Sequence, residues 1–598
     1  MIFTGIIMVG VPFCALGEPA PEKARIPNRS AKGAGVPKSA DRRETFLQRF
    51  SRRGNESDPF VALPKDLDAV APSIVEGRVN LPLANAADLG EPLTTPQFDE
   101  ILASEFDSGG AKGGVKRIPE DQFVRRVYLD VLGRLPAPAD IDEYLASKDP
   151  DKKAKLIDRL LAMPQYGVNW ARYWRDVIRY RSPDENNRPS PFGEEAWLAS
   201  QFNDNVGWDE IATALLTVRG LSTDEPAGFF FATYRGEQAE LAGESARIFL
   251  GTQIGCAQCH DHPSDTWKRD QFHEFASFFG KTAVRLRPDL QGTKGQRFVI
   301  EIGDAPPRRQ YRKPDLKDPS KAGEIVQPVF LTGQAIPQET SDSQRRESLA
   351  AWTTSKRNPL FAKAFVNRAW AELIGQGFTN PVDDLGQQKE VAYPRVFEEL
   401  SRSFAASNYD VKRLVRLILN SSLYDRQYRE LEGFLEDEAL FENIHPTRLT
   451  ADQIFDAIDW VLGDIDDGRT NLPIRPGNPG MRRSPRAEFQ AVFGFDPSQP
   501  REELDGTIPQ ALALMNNPTI HDRLDADKRG TLLNKLLATQ PNDKEVLRML
   551  YLRVLARKPT SGEISACQSY IRQVGNRAEA FEDILWSLLN TTEFLHNH

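Results

Sequence analysis

From Thr95 to the C-terminus, apolar side chains recur at the three- and four-residue spacing of amphipathic helices. Phe98, Ile101 and Leu102 in "TTPQFDEILASEF" form the first of many such runs, and Gly or Pro residues end most of them. The pattern changes between residues 281 and 335, where short β-branched runs alternate with Pro, Gly and Lys. We therefore predict a mainly α protein with two α-helical domains and a small antiparallel β inset between them.

A chain of 598 residues is too long to be built around one hydrophobic core. The helical runs predict domains over residues 93–283 and 343–598, joined by the inset or linker 284–342. The expected strands are "KTAVRLR", "QRFVIEIGD" and "VQPVFLTG", with a charged loop among them. Residues 464–508 are rich in Gly, Pro and Arg, so we expect a long irregular segment there.

The first 17 residues are apolar, and polar sequence begins at Glu18. A run of this length is too short to cross a bilayer and resembles a secretory signal peptide, although no Lys or Arg precedes it. We expect a signal peptide over 1–17, a disordered linker rich in Pro, Ala and charge over 18–92, and a secreted or periplasmic mature chain. A lipoprotein attached through Cys14 and a buried N-terminus stay open as alternatives.

The charge and cysteine content exclude several classes of protein. The net charge is −9 at pH 7, which gives no reason to expect binding to nucleic acid. No basic helix indicates binding to anionic lipid, and we expect no transmembrane helix. Four cysteines in a chain of this length exclude a disulfide-rich scaffold.

Two distant segments resemble each other without gaps. They are "FVRRVYLDVLGRLPAPADIDEYL" at 123–145 and "VLRMLYLRVLARKPTSGEISACQ" at 546–568, in which Leu129 aligns with Leu552. Each predicts a helix, a Pro-marked turn and a second helix. The match is typical either of a recurring helical hairpin or of a duplicated unit at the two ends of the chain.

Cys256, Cys259 and His260 lie in the sequence Cys-Ala-Gln-Cys-His, which is the attachment pattern of c-type haem. Two thiols separated by two residues can bond to two vinyl groups of one macrocycle, and the next imidazole then lies under the iron. The sequence therefore predicts haem c bound covalently through Cys256 and Cys259, with His260 as the proximal ligand.

Three other roles for this stretch stay open. Zinc or another divalent metal could bind Cys256 and Cys259 with two of the nearby histidines, and we place this alternative site at His260 and His262. The third histidine of that group is His273. The two cysteines could instead form a disulfide, or the stretch could be purely structural.

The second axial position of a bound haem would decide between an electron carrier and an enzyme, because a carrier keeps a stable second ligand and an enzyme leaves the position open. His273 lies on a predicted helix with Phe272 and Phe279, which could either line the cofactor or form core. We therefore name His273 as the candidate second ligand. An open position, Met515 and His445 are the alternatives.

Carboxylates elsewhere in the chain give two further candidate sites. Asp176 can pair with Arg179 or Tyr180, three or four residues away on one helix face. Such a pair could belong to a polar network that anchors helices, or to a redox or acid/base site beside the cofactor. The adjacent Asp383 and Asp384 form a candidate cation site, with a helix cap or a turn as the alternative.

Long motifs in the first half resemble the planctomycete-type cytochrome-c-like domain, a family of unknown function. They are "ESARIFLGTQIGCAQCHDHPSDTWKRDQFHEFASFFG", "FVRRVYLDVLGRLPAPADIDEYL" and "LIDRLLAMPQYGVNWARYWRDVIRY", within residues 95–285. The second half resembles the partner domain that usually follows it, through "RLTADQIFDAI", "GTIPQALALMNNP" and "DILWSLLNTTEFLHNH". Where that domain commonly shows Ser-His-Pro, this chain has Ala392-Tyr393-Pro394.

The resemblance implies a secreted protein that is often encoded beside a secreted partner protein. Three functional hypotheses follow from the motif and the resemblance together. The first is a c-type haem protein that acts in electron transfer, or as a haem oxidoreductase, with an unknown redox partner. The second is a non-haem metal-dependent enzyme acting on extracellular polymer, and the third is an envelope scaffold or binding protein.

Overall fold

The computed structural model describes residues 89–108, 116–181, 193–288, 298–306, 308–318, 320–386, 389–427, 444, 446–463, 485–499 and 506–597. All of these residues lie in one compact unit. The predicted signal peptide, nearly all of the predicted linker, and His445 lie outside them.

The mainly α prediction is confirmed, since the structure is 59% helical and its sheets are small and antiparallel. None of the described helices combines the length and the apolar character needed to span a membrane. The helices of the first half are α1 (Thr95–Ser108), α2 (Glu120–Leu132), α3 (Pro138–Ala146), α4 (Lys152–Leu161), α5 (Pro164–Arg179), α6 (Glu194–Asn203), α7 (Trp208–Thr217), α8 (Phe229–Thr233), α9 (Gln238–Leu250) and α10 (Arg269–Ala276).

The helices of the second half follow the inset and continue to the C-terminus. They are α11 (Asp342–Thr353), α12 (Pro359–Ile374), α13 (Pro394–Ala406), α14 (Val411–Asn420), α15 (Ala451–Leu462), α16 (Pro485–Phe493), α17 (Ile508–Met515), α18 (Pro518–Leu524), α19 (Leu532–Thr539), α20 (Asp543–Val554), α21 (Ser561–Val574), α22 (Arg577–Leu589) and α23 (Thr592–Leu595).

Helix α2 illustrates how the sequence sets these bounds. Pro119 precedes it, and Glu120 and Asp121 in its first turn complement the positive end of the helix dipole. Gly133 ends it with a left-handed φ of 68°, and its N–H donates to the carbonyl of Leu129.

The strands form three small sheets. They are β1 (Gly220–Leu221), β2 (Thr282–Pro288), β3 (Phe298–Asp304), β4 (Arg312–Lys313), β5 (Glu324–Ile325), β6 (Thr447–Arg448) and β7 (His596–Asn597). β3 lies between β1 and β2, β4 pairs with β5, and β6 pairs with β7, all antiparallel. The two predicted strands over 281–304 are therefore confirmed.

The third predicted strand, at 326–333, is wrong. Pro328 cannot donate to a sheet, and the backbone N–H of Phe330 donates to the nearby carbonyl of Gln334 at 2.8 Å. Phe330 and Leu331 are buried in the core instead. The third strand of the main sheet is β1, which comes from the turn after α7.

The irregular segment predicted over 464–508 contains a helix, so that prediction is wrong over its middle part. Helix α16 begins at Pro485, a residue type that suits the first position of a helix. Phe489 and Phe493 lie one turn apart on it and are buried. The preceding residues 464–484 lie outside the described part of the chain.

Buried apolar side chains form two clusters. The first core lies among helices α1–α14 and the inset, with nearly all of its members between Leu93 and Ile444. The second core lies among helices α15–α23, with most of its members between Leu449 and Phe594. Helices of both predicted domains contribute to the first core, and the predicted domain boundaries stay a prediction.

Helix α2 lies between the two cores. Arg126 donates to the carbonyl of Tyr424 at 2.6 Å, on the side of the first core. Its neighbour Arg125 donates to the carbonyl of Glu593 at 2.9 Å, beside the second core. Both arginines are buried. A buried guanidinium needs acceptors, so these two adjacent residues hold α2 against both cores.

The two similar segments pack in a reciprocal way. Leu129 of the first segment belongs to the second core, whereas its aligned residue Leu552 belongs to the first core. Gly133 and its aligned residue Ala556 both have a left-handed φ, of 68° and 58°. The shared backbone conformation and the exchanged leucines favour the interpretation as a duplicated unit.

Ion pairs also join the two cores, between helices α5 and α15. Arg175 lies 2.6 Å from Asp452, and Arg172 lies 2.5 Å from Asp456. Asp452 is buried, so its charge depends on these guanidinium groups for solvation.

The predicted pairing of Asp176 with Arg179 or Tyr180 is wrong. Asp176 pairs with its neighbour Arg175 at 2.8 Å, and Arg179 pairs with Glu194 on helix α6 at 2.7 Å. Glu194 on the neighbouring helix α6 pairs with Arg179 of α5. Tertiary contacts therefore replace the pairs that the spacing within α5 would allow.

The exchange of leucines predicts which core each one stabilises. Leu129→Ala should lower the free energy of unfolding by about 2–5 kcal/mol. Its loss of hydrogen-exchange protection should be largest in α15, α20 and α22, because the cavity lies in the second core. Leu132→Ala, three residues along the same helix, should instead weaken the first core. If hydrogen exchange became faster in the same helices in both variants, this account of the packing would be contradicted.

Candidate functional site

The stretch around Cys256 begins where helix α9 stops. Gly251 ends this helix with a left-handed φ of 58°. A Cβ at this position would lie 2.9 Å from the side chain of Leu385, so both the backbone conformation and the available space favour glycine. The carbonyl of Gly251 accepts a hydrogen bond from the N–H of Leu385 at 2.6 Å. The loop after α12 thus anchors the start of the site.

Residues Cys256–His260, which we name the CxxCH turn, lie on and just after a single 3₁₀ turn over Gly255–Gln258. Ile254 and Ala257 are buried and attach the turn to the core. Cys256 and Cys259 are both exposed and free. The turn therefore presents its two thiols on the outer surface.

His260 follows the second thiol and is also exposed. Its Nδ1 lies 2.7 Å from the carbonyl oxygen of Asp261, which can only accept, so Nδ1 carries the proton. The lone pair is then on Nε2, the tautomer that a metal-ligating histidine needs. Asp261 in turn accepts from Lys268 Nζ and from the backbone N–H of Arg269, both at 3.0 Å.

His262 is half-buried beside the turn. Its Nδ1 accepts from the N–H of Ser264 at 3.3 Å, and its own backbone N–H donates to the carbonyl of Trp267 at 2.8 Å. Among the described residues, no three His, Cys, Asp or Glu side chains are grouped so that they could hold a metal ion. A metal at His260 and His262 stays a prediction.

His273 is fully buried behind the turn, on α10. Its Nε2 donates to the carbonyl of Gln258 at 3.0 Å, and its Nδ1 accepts from the hydroxyl of Tyr311 at 2.8 Å. Burial, together with the nearby charge of Arg269, lowers the pKa of His273 to about 4. The neutral ring therefore joins the CxxCH turn to the inset.

These contacts bear on the second axial ligand. With both ring nitrogens of His273 hydrogen-bonded, ligation would require the ring to leave Gln258 or Tyr311. Met515, an alternative, lies on α17 with 46% of its surface exposed. The identity of the second ligand stays a prediction.

The aromatic residues near the turn belong to the core. Trp267, Phe272 and Phe279 are all at most 2% exposed. Phe275 contacts Trp352 of helix α11 with ring centroids 6.1 Å apart. Of the two roles open to this aromatic stripe, the structure therefore gives it packing, and the CxxCH turn lies at its outer edge.

A buried carboxylate, Asp383, holds the segment before the turn. Its Oδ1 accepts from the side-chain amide of Gln253 at 2.8 Å. Its Oδ2 lies 3.0 Å from Arg247, 3.1 Å from Arg368 and 2.5 Å from the hydroxyl of Ser498. Burial alone would raise the pKa of Asp383, but the charges of Arg368 and Arg247 hold it well below its usual range.

The candidate cation site is therefore occupied by the protein's own cations. Asp383 binds guanidinium groups, and Asp384 pairs with Lys389 at 2.8 Å. Neither carboxylate caps a helix in the described structure. Gln253 and Tyr311 are the site residues that sequence reasoning missed. No motif marks them, because each acts through a partner far away in the chain.

Two family models match this chain. PSCyt2, a protein of unknown function (DUF1549), matches residues 97–284, and PSD1, a protein of unknown function (DUF1553), matches residues 345–571. The chain carries the planctomycete-type domain pair, PSCyt2 followed by PSD1. This confirms the resemblance noted in the sequence. No curated protein and no solved structure matches the chain.

The PSCyt2 region carries the CxxCH turn, and the PSD1 region supplies Asp383 and Arg368. The two family regions therefore meet at the support of the turn. Tyr393, in the position where the second domain commonly has His, precedes helix α13 with a left-handed φ of 46°.

The burial of His273 gives a prediction for the pH dependence of stability. Its folded pKa, about 4, lies below the value of 6.5 for an exposed histidine, so the unfolded chain binds the proton more tightly. The stabilisation from this residue is complete above pH 6.5 and is lost as the pH falls toward 4. The wild type should therefore lose more stability than His273→Gln when the pH falls. The difference between their free energies of unfolding should shrink by roughly 2–3 kcal/mol between pH 7 and pH 4.5.

Urea unfolding at the two pH values measures this gap. His521→Gln is the matched control, because His521 is exposed and lies on α18. It should leave the pH dependence unchanged. A gap for His273→Gln that stays constant with pH would show that His273 is not buried in its neutral form.

Proposed function

We propose that this PSCyt2–PSD1 chain is a secreted or periplasmic c-type haem protein that transfers electrons. The CxxCH turn carries the proposal, because two free, exposed thiols and an imidazole follow one another on one turn of known spacing. Residues 1–17 support the extracytoplasmic location through their resemblance to a signal peptide.

The residues present fit the needs of haem attachment. Cys256 and Cys259 are not joined to each other, so both sulfurs are available for thioether bonds. His260 has the tautomer required for ligation, because the carbonyl of Asp261 holds its Nδ1 proton. A haem bound there would supply one-electron redox chemistry.

The rest of the site supports the turn and leaves its outer face open. Ile254 and Ala257 anchor it on the inner side, and His273 holds the carbonyl of Gln258. Because the thiols are exposed, a redox partner can approach the attachment site directly. This accessibility favours electron transfer over catalysis on a substrate enclosed by the protein.

Export together with a c-type maturation system tests the proposal. The intact mass of the exported, denatured protein should correspond to a chain beginning at or near Glu18 plus one haem, and the pyridine haemochrome spectrum should show one covalent haem per chain. Cys256→Ala combined with Cys259→Ala should abolish the haem. His260→Ala should keep the covalent haem but change its spin state, because the proximal ligand is lost.

Cys567→Ala is the matched control, since this third described cysteine lies on α21 and should not affect haem content. A colourless wild-type protein with stoichiometric zinc would overturn the proposal in favour of the metal alternative at His260 and His262. A colourless protein without metal would favour the scaffold hypothesis.

A further inference from the structure

The loop of the β inset that lies beside the CxxCH turn is strongly basic. Residues 308–321, which we name the basic loop, carry six Lys or Arg and two Asp, although the whole chain has a net charge of −9. Strand β4 lies within this loop, and β5 follows it. The sign of the charge in this loop is thus opposite to that of the protein as a whole.

Several cations of this region have no carboxylate partner. Arg308, Arg309, Arg312 and Lys317 are exposed, and the described part of the chain places no acidic side chain in a salt bridge with any of them. Arg312 donates to the carbonyl of Gly323 at 2.7 Å instead. Their charges are therefore available to a partner.

The basic loop is attached directly to the CxxCH turn. Arg269 donates to the carbonyl of Gln258 in the turn at 3.3 Å and to the carbonyl of Pro314 in the loop at 2.7 Å. Tyr311 of the loop binds His273, which binds the same carbonyl of Gln258. A molecule seated on the loop would thus lie next to the exposed thiols of the turn.

Apolar side chains on and beside the loop indicate what kind of molecule it fits. Leu316 is 59% exposed within the loop, and Ile325, which pairs with Arg312 across strands β4 and β5, is 45% exposed. Protein interfaces combine a buried apolar centre with a polar rim, whereas a linear polyanion binds through charge alone. Leu316 among free cations therefore favours a protein partner over a sulfated polymer.

We infer that the basic loop is the docking surface for an acidic redox protein, which binds with Leu316 at the centre and with Arg308, Arg309 and Lys317 at the rim. Opposite charge on the partner increases the rate of encounter and orients it over the CxxCH turn. The inference rests on the proposed electron-transfer function for the identity of the partner. The loop's charge and exposure are independent of haem.

The test uses a plant-type ferredoxin as an acidic redox probe and dextran sulfate as a polymer probe. The triple variant Arg308→Glu, Arg309→Glu, Lys317→Glu should bind ferredoxin at least tenfold more weakly at low salt, and the difference should shrink at high salt. The control is Lys535→Glu, Lys544→Glu, Arg572→Glu, which changes the net charge equally on exposed positions of the second-core helices. It should weaken binding less than threefold.

Leu316→Ala separates the two kinds of partner. It should weaken binding of ferredoxin and leave binding of dextran sulfate unchanged. If dextran sulfate binds more tightly than ferredoxin and neither depends on Leu316, the loop is a polymer-binding surface and the inference fails. It fails too if ferredoxin does not bind, or if both triple variants behave alike.

Two further measurements distinguish failure of the docking surface from failure of the proposed haem function. The protein with Cys256→Ala and Cys259→Ala should bind ferredoxin as the wild type does, because the loop is unchanged. In haem-loaded protein, the loop triple variant should slow reduction by ferredoxin at least tenfold without lowering haem content. If the exported wild-type protein carried no haem but still bound ferredoxin through the basic loop, the proposed function would be refuted and the docking surface would be supported.

Discussion

Asp383 brings several separate segments of the chain to one carboxylate. Arg247 of α9, Gln253 before the CxxCH turn, Arg368 of α12 and Ser498 after α16 all bind it. A charge buried this completely is stable only when its desolvation is offset by opposite charges and hydrogen bonds. The ions therefore constrain one another, since removing the carboxylate would leave the buried guanidinium group of Arg368 without its carboxylate partner. The support of the turn on its N-terminal side, through Gln253, depends on this one group.

The same constraint explains how an exposed turn can hold a fixed geometry. Three elements meet behind it: the Asp383 cluster before it, the buried residues Ile254 and Ala257 beneath it, and His273 after it. Reactive groups work best when rigid elements position them. The thiols thus lie at the surface, while the backbone that carries them is held by buried polar contacts.

Much of the fold follows from periodicity that can be read in the sequence. Most of the helices, the strands of the main sheet that flank residues 289–297, and the family were predictable, because they depend on local spacing and on long motifs. The strand predicted at 326–333 shows where periodicity fails as a guide. Phe330 is apolar because it is buried in the core, and its segment does not pair with another strand in a sheet. Helix α16 was missed because Gly and Pro around it mask a short helical run.

The candidate site divides in the same way. Cys256, Cys259 and His260 are adjacent in sequence and were found by their spacing. The residues that hold them were not, because Gln253 binds a carboxylate 130 positions away and His273 binds a hydroxyl 38 positions away. Residues that lie close together in a motif can be recognised from one sequence. Contacts with side chains far away in the chain can be identified only in the folded structure.

The central claim, that a buried carboxylate supports the CxxCH turn, is tested most directly by hydrogen exchange in Asp383→Asn. The account predicts faster exchange across residues 251–262 and a loss of about 3–5 kcal/mol in the free energy of unfolding, as expected when a buried ion cluster loses one charge. Asp384→Asn, at the neighbouring half-buried carboxylate, should change neither quantity appreciably. Unchanged exchange across residues 251–262 in Asp383→Asn, or equal effects of the two variants, would contradict the account.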